Sequence, residues 1–243
     1  FDEEWPELSK TLELKDISIS GNGEPTLSPF LEEALYAARQ AIDTKALVKD
    51  CATPSGQHSI PSIVLITNST GFLREDITEL LAGFYKRYPF EIWAKLDGGK
   101  EELHALLSRS RFRFAEIVRG IVDFSCSVPV TLQTMVIYDN RTGNIYFDCQ
   151  SYAVTIKEIL NGGGQLRAIQ IYTTARVPVE SWVAPVSDER LVIFARQLSS
   201  ILNKPQRKKA TGKEEEALQN QVYSIPILCY GSRGKLDWNH ANR

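Results

Sequence analysis

The sequence predicts an α/β protein built from parallel strands, and two observations lead to this class. The first is a short, wholly apolar run at residues 63–66, which is typical of a strand covered on both faces, as in a parallel sheet. The second is that strand, turn and helix patterns repeat along the chain, which requires parallel pairing with right-handed crossovers. These patterns fit an open doubly wound sheet as well as a (β/α) barrel.

The first element is a strand at Ile17 that ends in a glycine turn. Its alternating β-branched residues lead into Gly21, Asn22, Gly23 and Glu24. Two glycines and a carboxylate at the end of a buried strand indicate a turn where the backbone approaches a ligand. An ordinary Gly/Asn turn explains the same spacing equally well.

The later elements follow from apolar periodicity and from capping residues. Ser28, followed by Pro29, predicts the start of a helix that reaches about Val48, and Ser187 predicts the start of a last helix through Leu202. Residues 145–147 fit either a short hairpin strand or a loop. The other predicted strands are 63–66, 90–96, 128–138, 166–173 and 223–230, and the other predicted helices are 77–88, 103–107, 114–124 and 152–160.

Composition is that of a globular protein of 243 residues with 43% hydrophobic and 24% charged residues. A net charge of −2 gives no general basic field for nucleic acid, although it leaves room for a local basic patch. No apolar run approaches the roughly 20 residues that a membrane span needs, so we expect no membrane partner. The 4 scattered cysteines are typical of reduced thiols, which favours a cytoplasmic location.

The residues at the predicted strand ends resemble a known superfamily. The segment 21–26, Gly-Asn-Gly-Glu-Pro-Thr, resembles the glycine–glutamate turn of the radical S-adenosylmethionine (SAM) superfamily. The resemblance extends from residue 17 to about residue 200, and the nearest branch is the wyosine-synthesis-like group of iron–sulfur oxidoreductases. Later segments that resemble the ends of its third to sixth strands are 66–71, 93–99, 131–135 and 169–178.

The resemblance implies a fold and a domain organisation. The superfamily fold is a partial (β/α)6 TIM-like barrel of parallel strands, and in this chain the first strand would be missing. Residues 1–203 would form this N-terminally truncated radical SAM-like barrel. Residues 204–243, which include opposite charge runs, would form a charged linker and a C-terminal extension.

The resemblance also implies which residues bind the cofactor. Glu24 and the backbone of Gly21, Asn22 and Gly23 would hold the methionine amino group of SAM. Arg176 would engage an anionic substrate, and no catalytic residue is assigned. The residues implied to contact the carboxylate, ribose or adenine of SAM are Asn68, Ser69, Thr70, Lys95, Asp97, Gln133, Gln170 and Tyr172.

Lys95 and Asp97 are two residues apart on one predicted strand, so we expect both side chains on the same side. A structural ion pair between them is as compatible with the sequence as a binding role.

The superfamily's cysteine loop, Cys-x3-Cys-x2-Cys, is missing from this sequence. In the family its thiolates hold a [4Fe–4S] cluster. We expect these ligands upstream of residue 1, so that this chain alone would be inactive; the alternative is a relative that has lost the cluster. The reading frame upstream of Phe1 distinguishes the two. The cysteines present are far apart and none precedes Gly21: Cys51, Cys126, Cys149 and Cys229.

Three function classes stay open. The first, implied by the resemblance, is an oxidoreductase that makes a 5′-deoxyadenosyl radical from SAM, with flavodoxin or ferredoxin as electron donor and a tRNA base as candidate substrate. The second is a cluster-free binding or regulatory module. The third is a hydrolase or synthase on an ordinary barrel, but none of the 3 histidines lies at a predicted strand end and no nucleophile elbow or phosphate loop occurs.

Overall fold

The structure is a computed structural model that describes residues 14–21, 23–44, 61–204 and 224–237. The chain divides into two compact units, Phe1–Ala94 and Lys95–Arg243. Asn22, the end of the first predicted helix near Val48 and most of the predicted charged linker lie outside the described residues. Among the described helices, none combines the length and the apolar character needed to cross a membrane.

The first unit is a parallel sheet with helices between its strands. Strand β2 pairs in parallel with β1 and with β3, and its residues Ile63, Val64 and Leu65 are buried. This confirms the prediction of a strand covered on both faces for residues 63–65, while Ile66 is half-buried. The elements are β1 Asp16–Ile19, α1 Leu31–Asp43, β2 Ser62–Thr67, α2 Glu75–Tyr85 and β3 Phe90–Lys95. Lys95, the last residue of β3, belongs to the second unit.

The predicted start of the first helix is wrong. Pro25–Leu27 forms a 3-10 turn, and α1 begins at Leu31, two residues later than Pro29. The Ser28 hydroxyl accepts a hydrogen bond from the Phe30 N–H at 3.2 Å and does not cap the helix. A serine hydroxyl can bond to the backbone two residues ahead, and this local bond competes with a helix cap.

The second unit contains a second set of strands and helices. Strands β4, β6 and β8 are neighbours in that order and pair in parallel, while β9 pairs antiparallel with β8. Strands β5 and β7 form a separate antiparallel pair. The elements are α3 Glu101–Ser108, α4 Phe114–Ser125, β4 Val130–Met135, β5 Ile137–Asp139, α5 Cys149–Asn161, β6 Leu166–Tyr172, β7 Val183–Pro185, α6 Asp188–Leu202, β8 Ile227–Gly231 and β9 Gly234–Leu236.

Several boundaries in the second unit differ from the predictions. The predicted strand 128–138 is interrupted at Val136, whose N–H donates to the Tyr172 carbonyl at 2.8 Å. Residues 145–147 form no strand, and Ile145 makes one isolated bridge to Tyr138. Helix α5 begins earlier than predicted because the Asp148 side chain caps it by accepting bonds from two backbone N–H groups. The Ser187 cap of α6 is confirmed.

The α/β class and the partial TIM-like barrel are confirmed. Within each unit the parallel strands follow one another in chain order, β1-β2-β3 and β4-β6-β8, as successive strand–helix repeats of a (β/α) barrel do. Strand β8 continues this series from a region predicted as an extension, while the domain boundary at residues 203 and 204 stays a prediction.

Replacement of Gly99 by alanine is expected to destabilise the second unit. Gly99 has a φ of +77°, and a Cβ there would lie 2.7 Å from the backbone nitrogen of Tyr152. We expect the free energy of unfolding to fall by about 2–4 kcal/mol in urea titrations. The control is Gly83→Ala in helix α2, where a Cβ meets nothing within 4 Å, and it should raise stability by about 0.5–1 kcal/mol. Equal effects of the two variants would contradict this account.

Candidate functional site

Glu24 joins the glycine turn to the end of β2. Its Oε1 accepts hydrogen bonds from the Thr26 N–H at 3.1 Å, the Thr26 hydroxyl at 2.7 Å and the Thr67 hydroxyl at 2.5 Å. Its Oε2 accepts from the Asn68 N–H at 2.6 Å. Because a carboxylate offers about four lone-pair sites, Oε1 is fully engaged. Within the described part of the chain, Oε2 keeps the capacity to accept a further bond.

The sequence analysis assigned no role to the two threonines that donate to Glu24, Thr26 and Thr67, or to Gly71, which makes room for Thr26. A Cβ at Gly71 would lie 2.4 Å from the Thr26 hydroxyl oxygen. Only glycine therefore lets Thr26 occupy the place from which it donates to Glu24. The segment 66–71, Ile-Thr-Asn-Ser-Thr-Gly, predicts a strand end. The hydrogen bond from Thr67 to Glu24 joins residues 43 apart in the sequence, so no local pattern indicates it.

The glycine turn leaves open space on its other side. A Cβ at Gly23 would meet no heavy atom within 4 Å, and a Cβ at Gly21 would come no closer than 3.9 Å to the Gly23 backbone. Neither glycine has the positive φ at which a side chain is strained. Packing and backbone conformation thus do not require glycine at these two positions, and no described side chain covers the backbone there.

Asn68, Ser69 and Thr70 bond mainly within their own turn. The Asn68 Oδ1 accepts from the Thr70 N–H at 3.0 Å and from its hydroxyl at 2.6 Å. The Ser69 N–H donates to the Thr67 hydroxyl at 3.1 Å, and Ser69 has a left-handed φ of 71°, which costs about 1–2 kcal/mol in a residue other than glycine. Of the three, only Asn68 is exposed. Their contact with a cofactor stays a prediction.

Asp97 lies in a glycine turn of the second unit and is 7% exposed. The turn is held to β4 because the Leu96 N–H donates to the Gln133 carbonyl at 2.8 Å and the Asp97 Oδ1 accepts from the Met135 N–H at 2.7 Å. The expectation that Lys95 and Asp97 share one side of a strand is wrong in its premise. Strand β3 ends at Lys95, so strand alternation does not reach Asp97.

Burial raises the pKa of the Asp97 carboxyl to about 6, although the Met135 N–H and the charge of Lys95 both act to lower it. In the unfolded chain the pKa is close to 3.8. Between these values the folded state holds a proton that the unfolded state has lost, so stability falls as pH rises. Above about pH 6 this stabilisation is fully lost. The difference of about two pH units between the folded and unfolded pKa values corresponds to about 3 kcal/mol of stability.

Two tyrosines lie within electrostatic reach of Asp97. Burial, and then the charge of Asp97, raise the pKa of both Tyr152 and Tyr172. The Tyr152 and Thr134 hydroxyls are both buried, and a hydrogen bond to Thr134 acts to lower the pKa of Tyr152. Asp97 therefore belongs to a cluster of buried polar groups.

Gln133 and Gln170 contact each other from neighbouring strands, and their contact with a cofactor stays a prediction. They are paired in the register of β4 and β6, and the Gln133 Nε2 donates to the Gln170 Oε1 at 2.7 Å. Both side chains are buried. Arg176 lies apart from them, exposed in the segment between β6 and β7.

The cysteines of the described chain do not form a metal site. No three His, Cys, Asp or Glu side chains are grouped as metal ligands within the described ranges. Cys126 is exposed, Cys149 is half-buried and Cys229 is buried. Burial raises the pKa of the Cys149 thiol to about 11 and that of the Cys229 thiol to about 12, which disfavours the thiolate that binds metal. The residues described therefore do not fit a [4Fe–4S] cluster.

Comparison with known proteins gives a distant structural likeness. The crystal structure of a radical SAM methyltransferase from Sphaerobacter thermophilus is similar over 92% of this chain, with 13% sequence identity and a TM-score of 0.49. The chain spans about half, 52%, of that protein's length. No protein-family model and no curated protein matches the chain. A likeness at this level assigns neither a family nor an activity.

Replacement of Asp97 by asparagine is expected to stabilise the protein at neutral pH and not in acid. The amide Oδ1 can still accept from Met135, while the buried charge is removed. We expect a gain of about 1–3 kcal/mol at pH 7.5 and none near pH 4, where the native carboxyl is protonated, measured by urea unfolding.

The control for this experiment is Asp123→Asn, because Asp123 is 67% exposed and meets Arg119 at 3.6 Å. An exposed pair of this kind contributes about 0–1 kcal/mol. A loss of stability in Asp97→Asn at pH 7.5 would show that the ionised carboxylate is favourable where it lies.

Proposed function

We propose that this chain binds SAM and forms the cofactor- and substrate-binding part of a radical SAM enzyme. The observation that supports this most is the Oε2 atom of Glu24. It lies in a carboxylate fixed by protein donors, beside the open space at Gly21 and Gly23, and keeps acceptor capacity within the described residues. The confirmed fold class agrees with the proposal, since ligands of (β/α) barrels bind at the carboxyl ends of strands.

The first unit would receive the amino group of SAM. An ammonium donates hydrogen bonds and carries charge, and the half-buried carboxylate of Glu24 is an acceptor whose orientation four protein bonds already fix. Charge-assisted hydrogen bonds contribute about 1.5–3 kcal/mol each. The backbone of Gly21 and Gly23 would accept the remaining ammonium protons, because no side chain blocks access to it.

The second unit offers polar groups that suit a ribose. Ionised Asp97 accepts a single protein hydrogen bond among those found in the described residues, and the buried Tyr152 hydroxyl lies within its electrostatic reach. A ribose has two hydroxyls that both donate and accept, so it would satisfy such groups. Contacts of Lys95 with the carboxylate of SAM, of the Gln170–Tyr172 segment with adenine and of Arg176 with an anionic substrate stay predictions.

The proposal is confined to SAM because the described residues do not fit the cluster. In the superfamily that this sequence resembles, the cluster supplies the electron that cleaves SAM. The roles of this chain's own residues are to orient SAM and to exclude water around Asp97. A cluster-free binding module is the second candidate, favoured by the scattered cysteines. A tRNA base as substrate, the wyosine-like branch and a flavodoxin or ferredoxin donor stay predictions.

Isothermal titration calorimetry of the full chain with SAM tests the proposal. We expect saturable binding that Glu24→Gln weakens about tenfold or more, since the amide nitrogen cannot accept the ammonium bond. Gly23→Val should weaken it similarly while leaving the melting temperature unchanged, because its side chain would enter open space. Gly83→Ala, also in open space but in helix α2, should bind like the wild type.

Two results would contradict the proposal. One is the absence of saturable binding up to about 1 mM SAM. The other is unchanged affinity in Gly23→Val, which would mean that the ligand does not lie against the glycine turn. Because Glu24→Gln can also loosen the turn, the Gly23 variant separates loss of binding from loss of structure.

A further inference from the structure

The second unit contains a cleft of about 940 Å³ that none of the residues assigned to SAM lines. Its walls come from the start of α3, the segment that leads into α5, and one face of α6. We propose that this cleft binds an organic anion with an aromatic or apolar body, of the size of an aryl phosphate or a mononucleotide. The inference goes beyond the proposed function and does not rest on it.

The charge of the cleft favours an anion. Lys100, Arg196 and Lys204 line it, and Asp148 is its single acidic lining residue among those described. Asp148 is already engaged, because it caps α5 through the Gln150 N–H at 3.0 Å and meets the Lys100 ammonium at 3.3 Å. The cations therefore exceed the acid in a protein whose net charge is −2.

Arg196 and Lys204 are the cations that remain available. Arg196 and Ser200 are four residues apart and share one face of α6, and Lys204 lies two residues beyond the end of that helix; all three line the cleft. Both cations are exposed, and neither has an ion pair or hydrogen bond within the described part of the chain. One guanidinium group and one ammonium group on this side of the cleft suit a phosphate or carboxylate.

Part of the remaining lining is apolar. The Phe147 and Phe194 rings meet edge to face with centroids 5.3 Å apart, and Phe147 also packs on the buried Tyr152 at 5.4 Å. Leu103 and Ile201 add aliphatic surface. A volume of about 940 Å³ is within the range of small-molecule sites and much larger than an inorganic anion requires. An apolar body with an anionic group matches both parts of the lining.

Binding at this cleft is expected to be non-covalent. Cys149 lines it, but burial and the neighbouring Asp148 charge raise the pKa of its thiol to about 11, so it is a poor nucleophile at neutral pH. The affinity should fall with added salt, because the cations lie at exposed positions.

The test uses the full chain and 1-naphthyl phosphate, titrated by calorimetry, with 1-naphthol and inorganic phosphate as partial ligands. We expect 1-naphthyl phosphate to bind saturably and each partial ligand to bind at least about tenfold more weakly. The double variant Arg196→Gln, Lys204→Gln should weaken binding about five- to tenfold. The matched control is Arg119→Gln, whose side chain is 83% exposed on α4 away from the cleft lining, and it should bind like the wild type.

A second variant tests the cleft by shape. Ser200→Trp changes no charge, lies at an exposed helix position and would occupy the part of the cleft beside Arg196, so it should weaken binding about tenfold or more with an unchanged melting temperature. Saturating SAM should leave the affinity for 1-naphthyl phosphate unchanged, which separates this site from the proposed cofactor site. The proposal is overturned if 1-naphthyl phosphate does not saturate, if the double variant binds like the wild type, or if Arg119→Gln weakens binding equally.

Discussion

The geometry of the first unit's candidate site depends on how the Glu24 carboxylate is held. One oxygen accepts three hydrogen bonds from two threonines, and the other accepts the backbone N–H of Asn68. These bonds join the glycine turn to the end of β2, a strand whose apolar residues are buried. The carboxylate is thus fixed before a ligand arrives, and such pre-organisation reduces the entropy lost on binding.

The same carboxylate has two roles that must be separated. Its bonds to Thr26 and Thr67 stabilise the turn, and Gly71 is required because any side chain there would displace Thr26. The remaining acceptor capacity of Oε2 within the described residues, beside glycines that packing does not require, is what a binding role would use.

Asp97 in the second unit differs from Glu24, because its ionised carboxylate lowers stability. Its burial raises the pKa to about 6, so at neutral pH the folded state carries an ionised carboxylate at a cost in stability. The hydroxyls of Thr134 and Tyr152 add two further buried polar groups. Proteins retain such unfavourable groups most often where they are used, which makes a strongly perturbed buried acid a functional-site candidate.

The sequence correctly predicted some structural features that depend on neighbouring residues, such as a strand and a helix cap. Residues 63–66 and the Ser187 cap were assigned correctly because burial on both faces and helix capping leave local signals. The Ser28 cap was wrong because its hydroxyl bonds to Phe30 instead. The Thr67 bond to Glu24 and the cleft along α6 join distant segments, and no local pattern records such contacts. Parallel addition of β8 to β6 likewise follows from tertiary pairing.

The most direct measurement of the central claim compares SAM with an analogue that lacks the amino group, each titrated into the wild type and into Glu24→Gln. If Glu24 receives the amino group, the wild type should prefer SAM by about tenfold or more, and the preference should largely disappear in the variant. The same preference in both proteins would show that the amino group is bound elsewhere, and that Glu24 serves only to hold the turn.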